Sequence, residues 1–215
     1  MLTPLFDFLL AGGVPRDTLV TLLMFPIVAT LIVAARQIVG IKSFGIYTPL
    51  IITFAFLEID IKYGAAIFVT SLIVATMLRF MLRKLRMLYL PKMALILSIT
   101  ALTMFVILIE AVFSARTVVA NLSVYQMLII ITLVEKFINV QIEKGYRTAL
   151  ILATETLALS SVGYFIVATP EVQEFIFRNP AIIIVFFFLI IFLGRYEGLR
   201  VSEYIRFRKL LGTRS

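Results

Sequence analysis

Seven long apolar segments divide the chain, and almost every positive charge falls on one side of them. The segments run over 18–36, 43–57, 63–82, 91–113, 120–138, 147–168 and 180–194, each near the ~20 residues that span a bilayer. If successive segments alternate in direction, one side carries Arg16, Lys62, Arg116 and Arg178, and the other carries the remaining sixteen of the 20 Lys and Arg. A wrong number of segments would scramble that split. The sequence therefore reads as an all-α integral membrane protein with about seven transmembrane helices, the N-terminus outside and the C-terminus cytoplasmic.

Composition points the same way, with 62% hydrophobic residues and a mean hydropathy of +1.10 against ~45 to 50% apolar residues in a soluble domain. The net charge of +8 does not argue for nucleic acid. The basic residues flank apolar spans instead of forming a stripe, so anionic membrane lipids are the expected partner. With no Cys and no His, disulfides, thiolate metal sites, a cysteine nucleophile and a histidine proton shuttle are excluded. Acid–base or nucleophilic chemistry would fall to Glu and Lys alone. The expectation is a protein that is not an enzyme, with no catalytic residues, no cofactor and no metal site.

Residues 1–17 lack the basic n-region of a cleavable signal. They read as an outer-face segment in which Leu5 to Leu10 form an interfacial turn or short helix ended by Gly12 and Gly13, with Pro15 and Asp17 suiting the start of the first span. Residues 18–195 form the membrane domain and 196–215 a basic cytoplasmic tail. The length leaves no room for a soluble catalytic domain of ~100 residues beside the spans.

The second segment is interrupted near its start by Gly45 and Pro49. A proline inside a span frees a backbone carbonyl, which a hydroxyl such as that of Thr48 or Thr53 could satisfy. Such a helix either lines a cavity, as in transporters, or is an ordinary kinked helix in the bundle. YTPLIITFAFLEIDIKYG from Tyr47 to Gly64 echoes YQMLIIITLVEKFINVQIEKG from Tyr125 to Gly145. The two copies would cross in opposite directions, which suggests a 3+3 inverted repeat plus a seventh helix.

Ionisable residues within the spans are costly in hydrocarbon, at least ~2.5 kcal/mol each. Glu155 lies about 12 Å into the sixth span, with Thr154, Thr156, Ser160 and Ser161 nearby to hydrate it. Glu135 and Lys136 occupy the inner part of the fifth span, with Asn139 one turn on, and Glu110 the outer end of the fourth. Glu155 could instead be a structural interhelical pair, and Glu110 and Glu135 could snorkel to the interface. The residues that would line a pathway or cavity are thus Lys42, Gly45, Thr48, Pro49, Glu135, Lys136 and Glu155.

Two basic clusters mark the cytoplasmic side. RKLR at 83–86, with Arg79 and Lys92, fixes topology and meets anionic lipid. In GRYEGLRVSEYIRFRKLL, Arg195, Leu199, Ser202 and Arg206 follow helical spacing, and Glu203 can pair with Arg200 or Arg206. This run reads either as a surface helix on lipid or as a dock for a cytosolic protein.

VGIKSFGIYTPLIITFAF (Val39 to Phe56), LPK at 90–92, VEK at 134–136 and GRYEGLRVSEYIRF (Gly194 to Phe207) together resemble the seven-helix C-terminal domain of bacterial membrane proteins described as inactive transglutaminases fused to seven transmembrane helices. The likeness spans nearly the whole chain, without the extracytoplasmic transglutaminase-like domain that precedes the helices in that family. The glycine-proline run of the second span is more distantly similar to the small membrane subunit of poly-gamma-glutamate (capsule) synthases. The resemblance implies a bacterial inner-membrane protein with a cytosolic ATP-grasp ligase as partner, a separate extracytoplasmic transglutaminase-like chain, and a role in making or exporting an acidic amino-acid polymer. Arg195, Tyr196, Glu197, Gly198, Arg200, Glu203, Arg206 and Phe207 would then form the docking motif. A homo-oligomer is compatible with this reading. The alternative is a secondary transporter or channel for a small anionic solute.

Overall fold

The computed structural model describes residues 8–114 and 123–195. Among them every regular element is helical. A helical turn at 8–11 precedes α1 (Arg16–Ala34), which a π-helical turn extends over Ala35–Val39. Then come α2 (Tyr47–Ile59), α3 (Ile61–Leu82), α4 (Tyr89–Phe113), α5 (Val124–Lys144), α6 (Tyr146–Ala168), α7 (Pro170–Arg178) and α8 (Ile182–Gly194).

Each of the seven apolar segments of the sequence contains a helix, with three adjustments. The second begins at Tyr47, so 40–46 is not helical. The fifth runs on to Lys144, with Gln141 of its polar end buried and held by Arg79 and Thr76. The seventh is preceded by α7, bent by 102° from α8. Among the described residues five helices alone are long and apolar enough to cross a membrane, or up to six if the bent α7–α8 pair is counted as one span. The remaining segment, α2, has 13 residues, about 20 Å at 1.5 Å per residue, against a hydrocarbon core of about 30 Å.

Many large apolar side chains stay exposed, among them Phe187, Phe188 and Phe192 on α8 and Leu102, Phe105 and Val106 on α4. Contiguous apolar surface on this scale is unstable in water. Lipid is its solvent, and in lipid every backbone group must find a partner within the protein. The side-chain hydroxyls comply by bonding back one turn, as Ser71 Oγ does to the Ile67 carbonyl at 2.8 Å and Thr100 Oγ1 to that of Ile96 at 2.8 Å. Among the described residues no buried side-chain polar atom lacks a partner.

The chain forms two compact units, residues 1–50 with 158–215, and Ile51 to Leu157. In the first unit α1 packs against α7 and α8. Asp17 in its first turn suits the positive end of the helix dipole, and the turn at 8–11 ends at Gly13, whose φ of 90° suits glycine. Pro26 removes one helical donor, while Thr30 Oγ1 donates to the Pro26 carbonyl at 2.7 Å. Arg16 and Arg178 converge on Glu174, at 3.4 and 2.8 Å, and the Arg16 guanidinium sits 4.8 Å over the Phe177 ring. The hydrogen-bonded Arg178 holds the Glu174 carboxyl below its ordinary 4.5, and Arg16 adds to the effect.

In the second unit α3, α4 and α5 pack on one another through Phe68, Leu72 and Ala75, Met93 and Ile96, and Val134, Phe137 and Ile138. α2 passes to α3 through one residue, Asp60, at φ 71° and ψ 137°. Its carboxylate accepts from the Lys62 N–H at 3.1 Å, the local bond that lets aspartate tolerate positive φ. Just beyond, Gly64 lies so close to the buried Phe56 ring that a Cβ would sit 2.7 Å from its Cδ1.

Candidate functional site

The most irregular part of the membrane domain lies between α1 and α2. The π turn closes with Gly40 in the left-handed region at φ 90°, where its N–H donates to the Ala35 carbonyl at 3.0 Å. Residues 40–46 then run without regular structure to Tyr47. The buried Ser43 organises this stretch. The half-buried Arg36 Nη1 donates to the Ser43 carbonyl and hydroxyl at 3.4 and 3.3 Å. Ser43 Oγ donates to the Gly45 carbonyl at 2.9 Å, and the Gly45 N–H to the Ser43 carbonyl at 2.7 Å. Gly45 adopts φ 84°, which glycine alone takes freely.

These contacts correct the expectation for Pro49. It occupies the third position of α2, where a helix has no internal partner for the N–H, so it starts the helix and does not kink it. The carbonyl a proline would orphan, that of Gly45, accepts from Ser43 Oγ. Thr48, fully buried, donates from Oγ1 to the Phe44 carbonyl at 2.8 Å. The Pro49 carbonyl also accepts from Ser160 Oγ of α6 at 3.0 Å. Lys42, Ile46 and Tyr47 are exposed, Tyr47 at 73%. The segment is thus a braced turn with Lys42 and two apolar side chains on its outside.

The other residues expected to line a pathway belong to the second unit. Glu135 is exposed on α5 and Lys136 half-buried beside it. Glu155 is half-buried on α6, next to the fully buried Thr156, whose Oγ1 donates to the Leu152 carbonyl. Glu110 is exposed near the end of α4. Of the docking motif, Arg195 is exposed just past α8; Tyr196, Glu197, Gly198, Arg200, Glu203, Arg206 and Phe207 lie outside the described residues.

Sequence reasoning passed over the two glutamines of α5. Gln141, 1% exposed, donates from Nε2 to Thr76 Oγ1 at 3.0 Å, while Arg79 holds its Oε1 at 2.7 Å and its backbone carbonyl at 3.0 Å. Near the opposite end of α5, Gln126 donates to Glu58 and accepts the Ser123 N–H at 2.9 Å. An amide within an apolar helix was the available signal, since polar side chains there bond across helices. The echo between the two tyrosine-to-glycine stretches has a structural counterpart with a shifted register. Each joins consecutive helices through one positive-φ residue, but in the first copy that residue is Asp60, not the aligned Gly64, and in the second it is Gly145.

Residues 14–211 match a family model described as seven transmembrane helices usually fused to an inactive transglutaminase. Comparison with curated proteins and with solved structures gave no match in either case.

Proposed function

The chain belongs to the family of seven-transmembrane-helix domains usually fused to an inactive transglutaminase, and from that premise we propose a non-catalytic multi-pass subunit that tethers a cytosolic ATP-dependent amide (glutamate) ligase and assists synthesis or export of an acidic amino-acid polymer. The observation that carries this reading is the braced turn at 40–46. Its internal hydrogen bonds fix a non-helical segment that leaves Lys42, Ile46 and Tyr47 exposed. A preorganised surface with aromatic, aliphatic and cationic side chains binds a partner with little ordering cost. The positive-inside count puts Lys42 and Arg195 on the cytoplasmic side, where the ligase would dock on this turn and on the run from Tyr196 to Phe207. A cationic rim of Lys42, Arg195 and Arg200 would concentrate a polyanion. A transglutaminase-like partner would act on the outer side.

The test is affinity capture of the solubilised protein from its native cells, comparing the full chain with one truncated after Tyr196. The reading expects an ATP-grasp ligase with the full chain and its loss on truncation. No ligase with either form favours the second reading, a secondary transporter or channel for a small anionic solute. The non-helical break between α1 and α2 supports that alternative, because interrupted helices line transport sites. Flux of a labelled anion into liposomes would test it.

A further inference from the structure

We propose that the second unit carries a built site for the phosphate of an anionic phospholipid, in a cavity of about 310 Å³ lined by Arg79, Arg83, Tyr89 and Lys92 above Met93 and Ile96. Two of its polar members are fixed from behind. Arg79 spends two of its five donors on Gln141 of α5, at 2.7 and 3.0 Å, which leaves the rest of its fork for a ligand. The Tyr89 hydroxyl donates to Asn139 Oδ1 of the same helix at 2.5 Å. Holding a guanidinium in place before the ligand arrives removes its ordering cost.

Charge then decides the ligand class. Three cations line one cavity, Lys92 half-buried and Arg79 too, and among the described residues no carboxylate forms an ion pair with any of them. Like charges gathered at a membrane helix end call for a counter-anion. Phosphate oxygens suit an arginine fork and a lysine point charge together. The apolar floor decides between sources of phosphate. Met93 and Ile96 are buried side chains of α4, a helix whose remaining face is apolar and exposed, so the ligand that fills the cavity carries hydrocarbon beside its phosphate.

The experiment is native mass spectrometry of the delipidated full chain titrated with phosphatidylglycerol, phosphatidylcholine, inorganic phosphate or oligoglutamate. Three forms are compared: wild type, the pocket variant Arg83→Gln/Lys92→Gln, and the loop control Lys84→Gln/Arg86→Gln, which removes the same charge outside the cavity. The proposal expects wild type to favour phosphatidylglycerol over phosphatidylcholine by roughly tenfold or more, from about 1 kcal/mol per basic residue near an anionic headgroup. The pocket variant should lose that preference and the control keep it. Equal loss in both variants would overturn the site in favour of diffuse attraction. Tighter binding of inorganic phosphate or oligoglutamate than of phosphatidylglycerol would overturn the lipid assignment. Unchanged lipid mass shifts in the pocket variant would overturn it as well.

Discussion

The two units solve the same problem by different means. The second keeps its helices long and places a few amide and guanidinium groups inside the packing, as at Gln141, where Arg79 and Thr76 converge on one buried side chain. The first breaks its helices, at the π turn, at 40–46 and at the α7–α8 bend, and repairs each break with short local bonds. A buried hub is shared by several partners, so losing it orphans them together. Local repairs are independent, and each is lost alone. Stability should therefore be concentrated at single positions in the second unit and spread thinly in the first, leaving the first freer to present an irregular surface.

The sharpest way to break this contrast is Gly64→Val. The new side chain meets the buried Phe56 ring, and overpacking of this kind costs about 3 kcal/mol. Unfolding in mixed micelles followed by circular dichroism should show it as the largest loss of the series. Gln141→Leu should follow, at about 2 kcal/mol, because the Arg79 and Thr76 groups it satisfied are left in the packing. Arg79→Gln made together with it should then cost little more, a non-additive pair. Ser43→Ala in the first unit should cost about 1 kcal/mol, the value of an ordinary hydrogen bond. A loss equal to that of Gln141→Leu would erase the distinction between the units.

The smallest effect belongs to Glu174. Its carboxyl is held low by Arg178 and Arg16, so the stabilisation it adds is present above its ordinary 4.5 and disappears as pH falls through the lowered value. These ion pairs lie on the surface and should be screened by salt. Glu174→Gln should therefore remove only the acid-side slope of a melting curve recorded at low ionic strength, with little change at neutral pH.

The gross architecture was legible because lipid imposes a simple rule: each of the seven apolar runs holds a helix, and Arg16 and Arg178, assigned to one side by counting charges, meet at Glu174. What escaped reading depended on local geometry within those runs. Pro49 read as an interruption because the helix start was placed four residues early, and only the Ser43–Gly45 bonds show that the chain had not yet become helical. Gln126 and Gln141 carry no charge and so drew no notice, though the unit is knit through them. The positive φ of Asp60 has no signature in the residue itself, because it is a property of the joint between α2 and α3. The docking motif was read from its residues, and most of it lies beyond the described portion.

α8 carries one more consequence. At 13 residues it reaches about 20 Å, roughly 10 Å less than the usual hydrocarbon thickness, and on its N-terminal side α7 turns away from it by 102°. Phe187, Phe188 and Phe192 nonetheless face outward. Hydrophobic mismatch of that size pulls the adjoining leaflets inward. A span this short favours a bilayer locally thinned around it, and the protein should melt at a higher temperature in short-chain than in long-chain phospholipid.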